Sequence, residues 1–188
     1  MLEVKNTITN TMLFSEDGKH RYLMARIWDE SKPIPLFVSK CAGEADGIFL
    51  ELTSMLITNN LYKMGYGGYY AVNLCSGIYN RSEELSDEET DKIIAEYAKK
   101  ASEIILSWGT ITKNSLKERE KAVLKILKAS KKKVTAVSDK NGKTNIHILT
   151  PSVRNDFFLT EVNIKELLTN LTAEKTVKTE KIQSTEKS

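Results

Sequence analysis

The chain has 188 residues, 40% hydrophobic and 28% charged, with 28 Lys+Arg against 25 Asp+Glu for a formal net charge of +3. These are the proportions of a folded domain of ordinary size, and they exclude wholesale disorder, a collagen-like repeat and a disulfide scaffold. So small a positive excess permits nucleic-acid binding without arguing for it.

In chain order, residues 21–28 and 34–39 read as strands, and Pro33 and Pro35 at the start of the second suit a strand at a sheet edge. Asp46 can cap a helix whose buried face would be Ile48, Phe49, Leu52, Met55 and Leu56. Gly65, Gly67 and Gly68 end it and open a buried strand at 69–74. Ser86 with Glu89 and Ser115 with Glu118 read as capping boxes. The first opens a helix with Ile93, Ile94, Tyr97, Ala98 and Ala101 inward, followed by a strand at 103–108. The second opens a helix with Leu116, Val123, Ile126 and Leu127 inward. Strands at 134–137 and 144–149 flank an Asn141-Gly142 turn, and a last helix spans 163–171. Residues 172–188 are Lys, Glu, Thr and Ser with little apolar content and read as a charged tail after a single domain of residues 1–171. Alternating strands and helices imply a three-layer α/β/α sandwich with a mostly parallel sheet.

The two cysteines, Cys41 and Cys75, can make at most one bridge. The first residues carry no apolar run of signal-peptide length, and no stretch approaches the roughly 18 apolar residues of a membrane span. The expectation is a cytoplasmic protein with reduced thiols that contacts no membrane.

In such a fold function gathers in the loops leaving the carboxyl ends of the strands. The loop 39–46 offers Glu44 and Asp46, which either orient a water or serve as a solvated side chain and a helix cap. Cys41 stands there as a nucleophile without an evident partner base, and the backbone amides of the helix start suit a phosphate. Asn73, near the end of a buried strand, either reads a nucleobase edge or ties down its own loop. Tyr79 and Arg81 can stack on a base and contact a phosphate, or stand as an exposed loop. Trp108 reads as core, with Gly109 allowing a tight turn or a close approach. His147 either donates to a developing anion or is a satisfied structural histidine. Two histidines and two cysteines without ligand spacing predict no metal site, and with no Walker loop and no G-x-G-x-x-G no cofactor is expected.

The order of segments 21–28, 67–74 and 107–109, with Asn141-Gly142 leading to His147-Ile148-Leu149, resembles the small bacterial and phage proteins of the domain of unknown function 1643 family, over residues 14–155. That family is distantly similar to the uracil-DNA glycosylase superfamily. The resemblance implies a pocket recognising a nucleobase, nucleotide or DNA, with N-glycosidic bond hydrolysis as the reaction of an active member. Residues 39–46 would be the first motif, with Ser39 and Cys41 in it and Glu44 or Asp46 orienting water. Asn73 would read the base, His147 would support the departing base, and Tyr79 and Arg81 would line the pocket. The chain departs from the family in both loops: Ser39-Lys40-Cys41 stands for Asn-Pro-Ser, and His147-Ile148-Leu149 for His-Pro-Leu. Those departures and the charged tail motivate an alternative of another class, a non-catalytic phage-type protein that inhibits a host nucleic-acid enzyme or sequesters a nucleotide signal.

Overall fold

The computed structural model describes residues 1–78 and 85–172. Ten elements carry the fold: β1 (Thr9–Phe14), β2 (Arg21–Ile27), β3 (Leu36–Cys41), α1 (Leu52–Lys63), β4 (Gly68–Cys75), α2 (Glu88–Lys100), β5 (Ile104–Leu106), α3 (Asn114–Ala129), β6 (Val134–Ser138) and β7 (Phe158–Glu161). A further helix, α4, spans 164–172. The strands form one sheet in the order β1-β2-β4-β3-β5-β6-β7.

The sheet is mixed rather than mostly parallel. The four strands β4-β3-β5-β6 are parallel, while β1–β2, β2–β4 and β6–β7 pair antiparallel. The cause is connection length. The turn at residues 15–20, closed by the Ser15 amide donating to the His20 carbonyl at 3.0 Å, is too short for a crossover, so β1 folds back on β2 as a hairpin. Each parallel neighbour is instead reached through a helix.

The parallel strands are buried on both faces. Leu36, Val38, Tyr70, Val72, Ile104, Leu106 and Ala136 join one cluster with α2, α3 and Ile164. Phe37, Tyr69, Ile105 and Val137 join another with Ile57 and Leu61 of α1 and the irregular stretch carrying Ile146, Ile148, Val153 and Phe157. Alternate residues of each strand therefore serve opposite faces, as the pleat requires.

Several expected boundaries move. Asp46 caps a turn, not a helix: its Oδ1 accepts from the amides of Ile48 and Phe49 at 3.0 and 2.8 Å, and the chain reverses at Gly47, φ 97°. α1 begins only at Leu52, so Ile48 and Phe49 are 96% and 61% exposed and Leu52 and Met55 also face out; Ser54, Ile57, Asn60 and Leu61 form the buried face. Pro33 and Pro35 precede β3, which is the central strand and not an edge; their carbonyls accept from the amides of Gly67 and Tyr70. Residues 144–149 make no strand; beyond the Ile146 amide on the Val137 carbonyl they turn away, and β7 takes the ladder beside β6. The Ser115–Glu118 box gives way to a start at Asn114 without a side-chain cap. Among the described residues no helix is long and apolar enough to cross a membrane.

The cap of α2 lies one residue beyond the expected serine. Asp87 accepts from the Thr90 amide at 2.9 Å, and Thr90 Oγ1 accepts in return from the Asp87 amide. Tyr22 Oη donates to the other Asp87 oxygen at 2.7 Å, and Thr90 Oγ1 meets Ser76 Oγ, which meets His20 Nδ1. Burial opposes ionisation of Asp87, but the hydrogen bonds from Tyr22 and Thr90 outweigh it and hold the carboxyl below its ordinary 3.8. Asp87→Ala is expected to lower stability at neutral pH by about 1–2 kcal/mol, the cost of a lost N-cap. Because the folded-state value is the lower one, that contribution is complete above pH 3.8 and disappears as pH falls through the folded value. Urea titrations of both proteins at pH 7 and pH 3 should show the gap closing at the acid end.

Candidate functional site

The chain order places a crevice. From β3 it passes through α1 to β4 on one side, then through α2 back across to β5 on the other. The winding thus reverses at β3, and the carboxyl ends of β3 and β5 diverge there, which is where ligands enter open α/β sheets.

A cleft of about 370 Å³ lies at this point. Lys40 contributes from β3, the stretch Trp108–Ile111 from the end of β5, Lys117 and Glu120 from α3, and Lys143–His147 from the loop after β6. Thr150 and Leu171 complete its wall. Among the described residues the lining thus brings Lys40, Lys117, Lys143 and His147 together with Glu120. Lys40 Nζ donates to the Thr110 carbonyl at 3.1 Å, which holds its charge beside the β5 loop. Ile111 and Leu171 give the cleft an apolar side, and Thr144, Asn145 and Thr150 a polar one.

Trp108 is the support of this cleft. It is 1% exposed, and its indole Nε1 donates to Glu120 Oε1 at 2.8 Å. Its amide donates to Asn145 Oδ1 at 3.2 Å, and Ser107 Oγ to the Ile146 carbonyl at 2.9 Å. These bonds tie the loop after β6 to the end of β5. Asn145 takes a left-handed conformation, φ 50°, which its amide side chain tolerates better than most. Gly109, φ 70°, lies against His147, and an added Cβ would stand 3.1 Å from His147 Cβ. Close approach is thus the role of that glycine.

His147 Nδ1 accepts from the Leu149 amide at 3.3 Å, so the neutral ring carries its proton on Nε2. Burial, reinforced by the Lys40 charge, pulls its pKa below the ordinary 6.5. The histidine is therefore a neutral hydrogen-bond donor at pH 7.

The other expected residues sit elsewhere around the strand ends. Ser39 is buried on β3 in register with Asn73 of β4, and Asn73 Nδ2 donates to the Cys41 carbonyl at 2.9 Å, tying its strand to the neighbouring one. Glu44 and Asp46 are exposed on the loop that runs towards β1 and β2; Gly47 lies against Asn10 and Met12, and buried Arg21 donates to the Ala45 carbonyl at 3.2 Å. At the expected helix start the amides of Ile48 and Phe49 donate to Asp46, and upstream those of Glu44 and Ala45 donate to Glu51 Oε1 beside Gly43. Tyr79 and Arg81 lie outside the described residues. Among the described residues no three His, Cys, Asp or Glu side chains converge as a metal site requires.

The residues sequence reasoning missed are Lys117, Glu120, Lys143 and Asn145. Charged positions on an amphipathic helix read as a solvated face, and only the contact with Trp108 marks Glu120 as different. The one available signal was the closeness of Lys143 and Asn145 to His147.

No curated protein and no solved structure matches the chain. Residues 21–149, well over half of it, match the family described as protein of unknown function (DUF1643), from β2 through the loop that carries His147. By that match the chain belongs to the DUF1643 family.

Proposed function

We propose that the chain is a nucleotide-recognising protein of three-layer α/β/α architecture whose ligand, a nucleoside phosphate, occupies the cleft at the carboxyl ends of β3 and β5. One observation carries this reading: Lys40, Lys143 and a neutral His147 line one cleft at the reversal of the sheet, with Lys117 and Glu120 of α3 on its wall. The lysines suit a phosphate. The apolar wall of Ile111 and Leu171 suits the face of a base, and the hydroxyl and amide groups of Thr144, Asn145 and Thr150 suit its edge.

Recognition is better supported than hydrolysis. In an N-glycosidase, Glu44 or Asp46 would orient water and His147 Nε2–H would stabilise the departing base. His147 lines the cleft, but Asp46 is engaged in its own turn and Glu44 lies on that same loop. Binding without turnover is the expected behaviour.

Thermal shift and calorimetry with nucleoside monophosphates, inorganic phosphate and short DNA test the reading. Lys40→Ala and Lys143→Ala should each weaken nucleotide binding about tenfold, the loss of one charge-assisted hydrogen bond. Asp46→Ala should leave affinity unchanged. Equal affinity in the wild type and both lysine variants would remove the cleft from the account.

A second reading, a non-catalytic protein that docks on a host nucleic-acid enzyme, draws on the adjacent exposed apolar side chains Ile48, Phe49, Leu52 and Met55. It places binding on the α1 side, so lysine variants of the cleft would leave such a complex intact.

A further inference from the structure

Cys41 and Cys75 end the two neighbouring parallel strands β3 and β4 and are direct partners in the ladder. Partnered residues of parallel strands project to the same face. Neighbouring strands run about 4.8 Å apart, inside the Cα separation of roughly 4.4–6.8 Å that a disulfide spans. Both thiols are free, and they stand side by side at the ends of their strands. Cys41 is exposed and Cys75 buried. The ends of the ladder are pinned by the Asn73 amide on the Cys41 carbonyl and by the Ala42 amide on the Cys75 carbonyl, both at 2.9 Å.

Cationic side chains come from β3 and α3, and Arg119 among them is paired with Asp91 of α2. Lys40 neighbours Cys41 on β3, Lys113 stands at the start of α3, and Arg119 of α3 donates to the Leu74 carbonyl beside Cys75. The hydrogen bond from Cys75, helped by Lys40 and Lys113 against burial, lowers the Cys41 thiol from the usual 9.0 to about 7, while Cys75 is pushed up by Cys41 and by burial. An exposed thiol that is partly ionised at neutral pH therefore stands beside a buried protonated one.

We propose that Cys41 and Cys75 form a peroxide-reactive dithiol, in which Cys41 is oxidised first and Cys75 resolves it to an intramolecular disulfide. The Cys41 thiolate attacks the terminal oxygen of a hydroperoxide. The O–O bond breaks, the thiolate becomes a sulfenic acid, and the alkoxide takes a proton and leaves as an alcohol, or as water from hydrogen peroxide. The Cys75 sulfur then attacks the Cys41 sulfur. The S–O bond breaks, the hydroxide leaves as water with the Cys75 proton, and the S–S bond forms. Two thiols lose two electrons, and the peroxide gains them. The site shares Lys40 with the cleft, and its chemistry needs no ligand there.

The test uses the reduced full chain titrated with hydrogen peroxide and followed by intact mass, thiol count and non-reducing electrophoresis. The wild type should lose both thiols, fall in mass by two hydrogens and remain a single chain. Cys75→Ser, checked for folding by circular dichroism, should stop at one added oxygen on Cys41 that dimedone captures. Alkylation of the reduced wild type should favour Cys41 over Cys75 about tenfold at pH 7 and rise with a midpoint of about 7. If the variant fails to fold, peptide mapping of the oxidised wild type decides alone: a linked pair of peptides carrying Cys41 and Cys75 supports the site. Oxygen added to Cys41 with Cys75 left reduced would overturn it, as would a bridge between two chains or an alkylation midpoint near 9.0.

Discussion

Trp108→Ala lowers the unfolding free energy by about 4 kcal/mol, the cost of emptying a buried aromatic site. The side chain is almost fully enclosed and belongs to the cluster between the sheet and helices α2 and α3. Its volume cannot be recovered cheaply, because the cluster it belongs to is built largely on sheet residues such as Val72, Leu74 and Leu106. The change also removes the indole bond to Glu120. Trp108→Phe separates the two contributions: most of the volume returns, the hydrogen bond does not, and the cost falls to about 1–2 kcal/mol. Urea unfolding of the three proteins measures both steps. A loss under 1 kcal/mol for the alanine variant would mean that the cleft wall rests on other contacts.

Gly67→Ala costs about 3 kcal/mol by a different route, at the opposite end of the sheet. The Gly67 carbonyl accepts from the amides of both Trp28 and Asp29, at 2.9 and 2.8 Å, and its own amide donates to the Pro33 carbonyl at 2.9 Å. An added Cβ would stand 1.8 Å from the Asp29 carbonyl oxygen. Backbone would have to yield, so the loop 28–35 and the first residues of β4 would separate. Differential calorimetry should show the lower melting temperature, and nucleotide binding to the remaining folded protein should be unchanged. An alanine variant as stable as the wild type would contradict the close approach.

The sequence was most legible where one physical pattern acted alone. α2 and α3 each carry a single apolar face, and β4 and β6 are short, largely apolar stretches, so the helices followed from periodicity and the strands from composition. β1 and β7 were not legible. Both lie at sheet edges, much of their length is exposed, and pairing rather than hydrophobic period makes them strands. The start of α1 misled for the opposite reason. Ile48 and Phe49 fit a helical face, but the Asp46 cap and the left-handed Gly47 turn the chain before the helix begins. In the candidate site, the strand-end loops and His147 were visible because parallel strands direct attention there. The lysines and Glu120 were not, because they come from three separate elements and meet only in space. Asn73 kept its expected position, and its amide went to a strand partner that linear reading could not supply.

The chain holds two tryptophans, one in the cleft wall and one, Trp28, at the far end of the sheet, packed against Tyr62 and Tyr69. Their indole N–H resonances, followed by NMR during titration with a nucleoside monophosphate, give the most direct test of the cleft. Binding at the β3–β5 crevice predicts a saturable shift of the Trp108 indole, whose proton is held by Glu120, with Trp28 stationary and the response weakened in Lys143→Ala. A stationary Trp108 resonance under ligand concentrations that raise the melting temperature would place the ligand elsewhere and contradict the account.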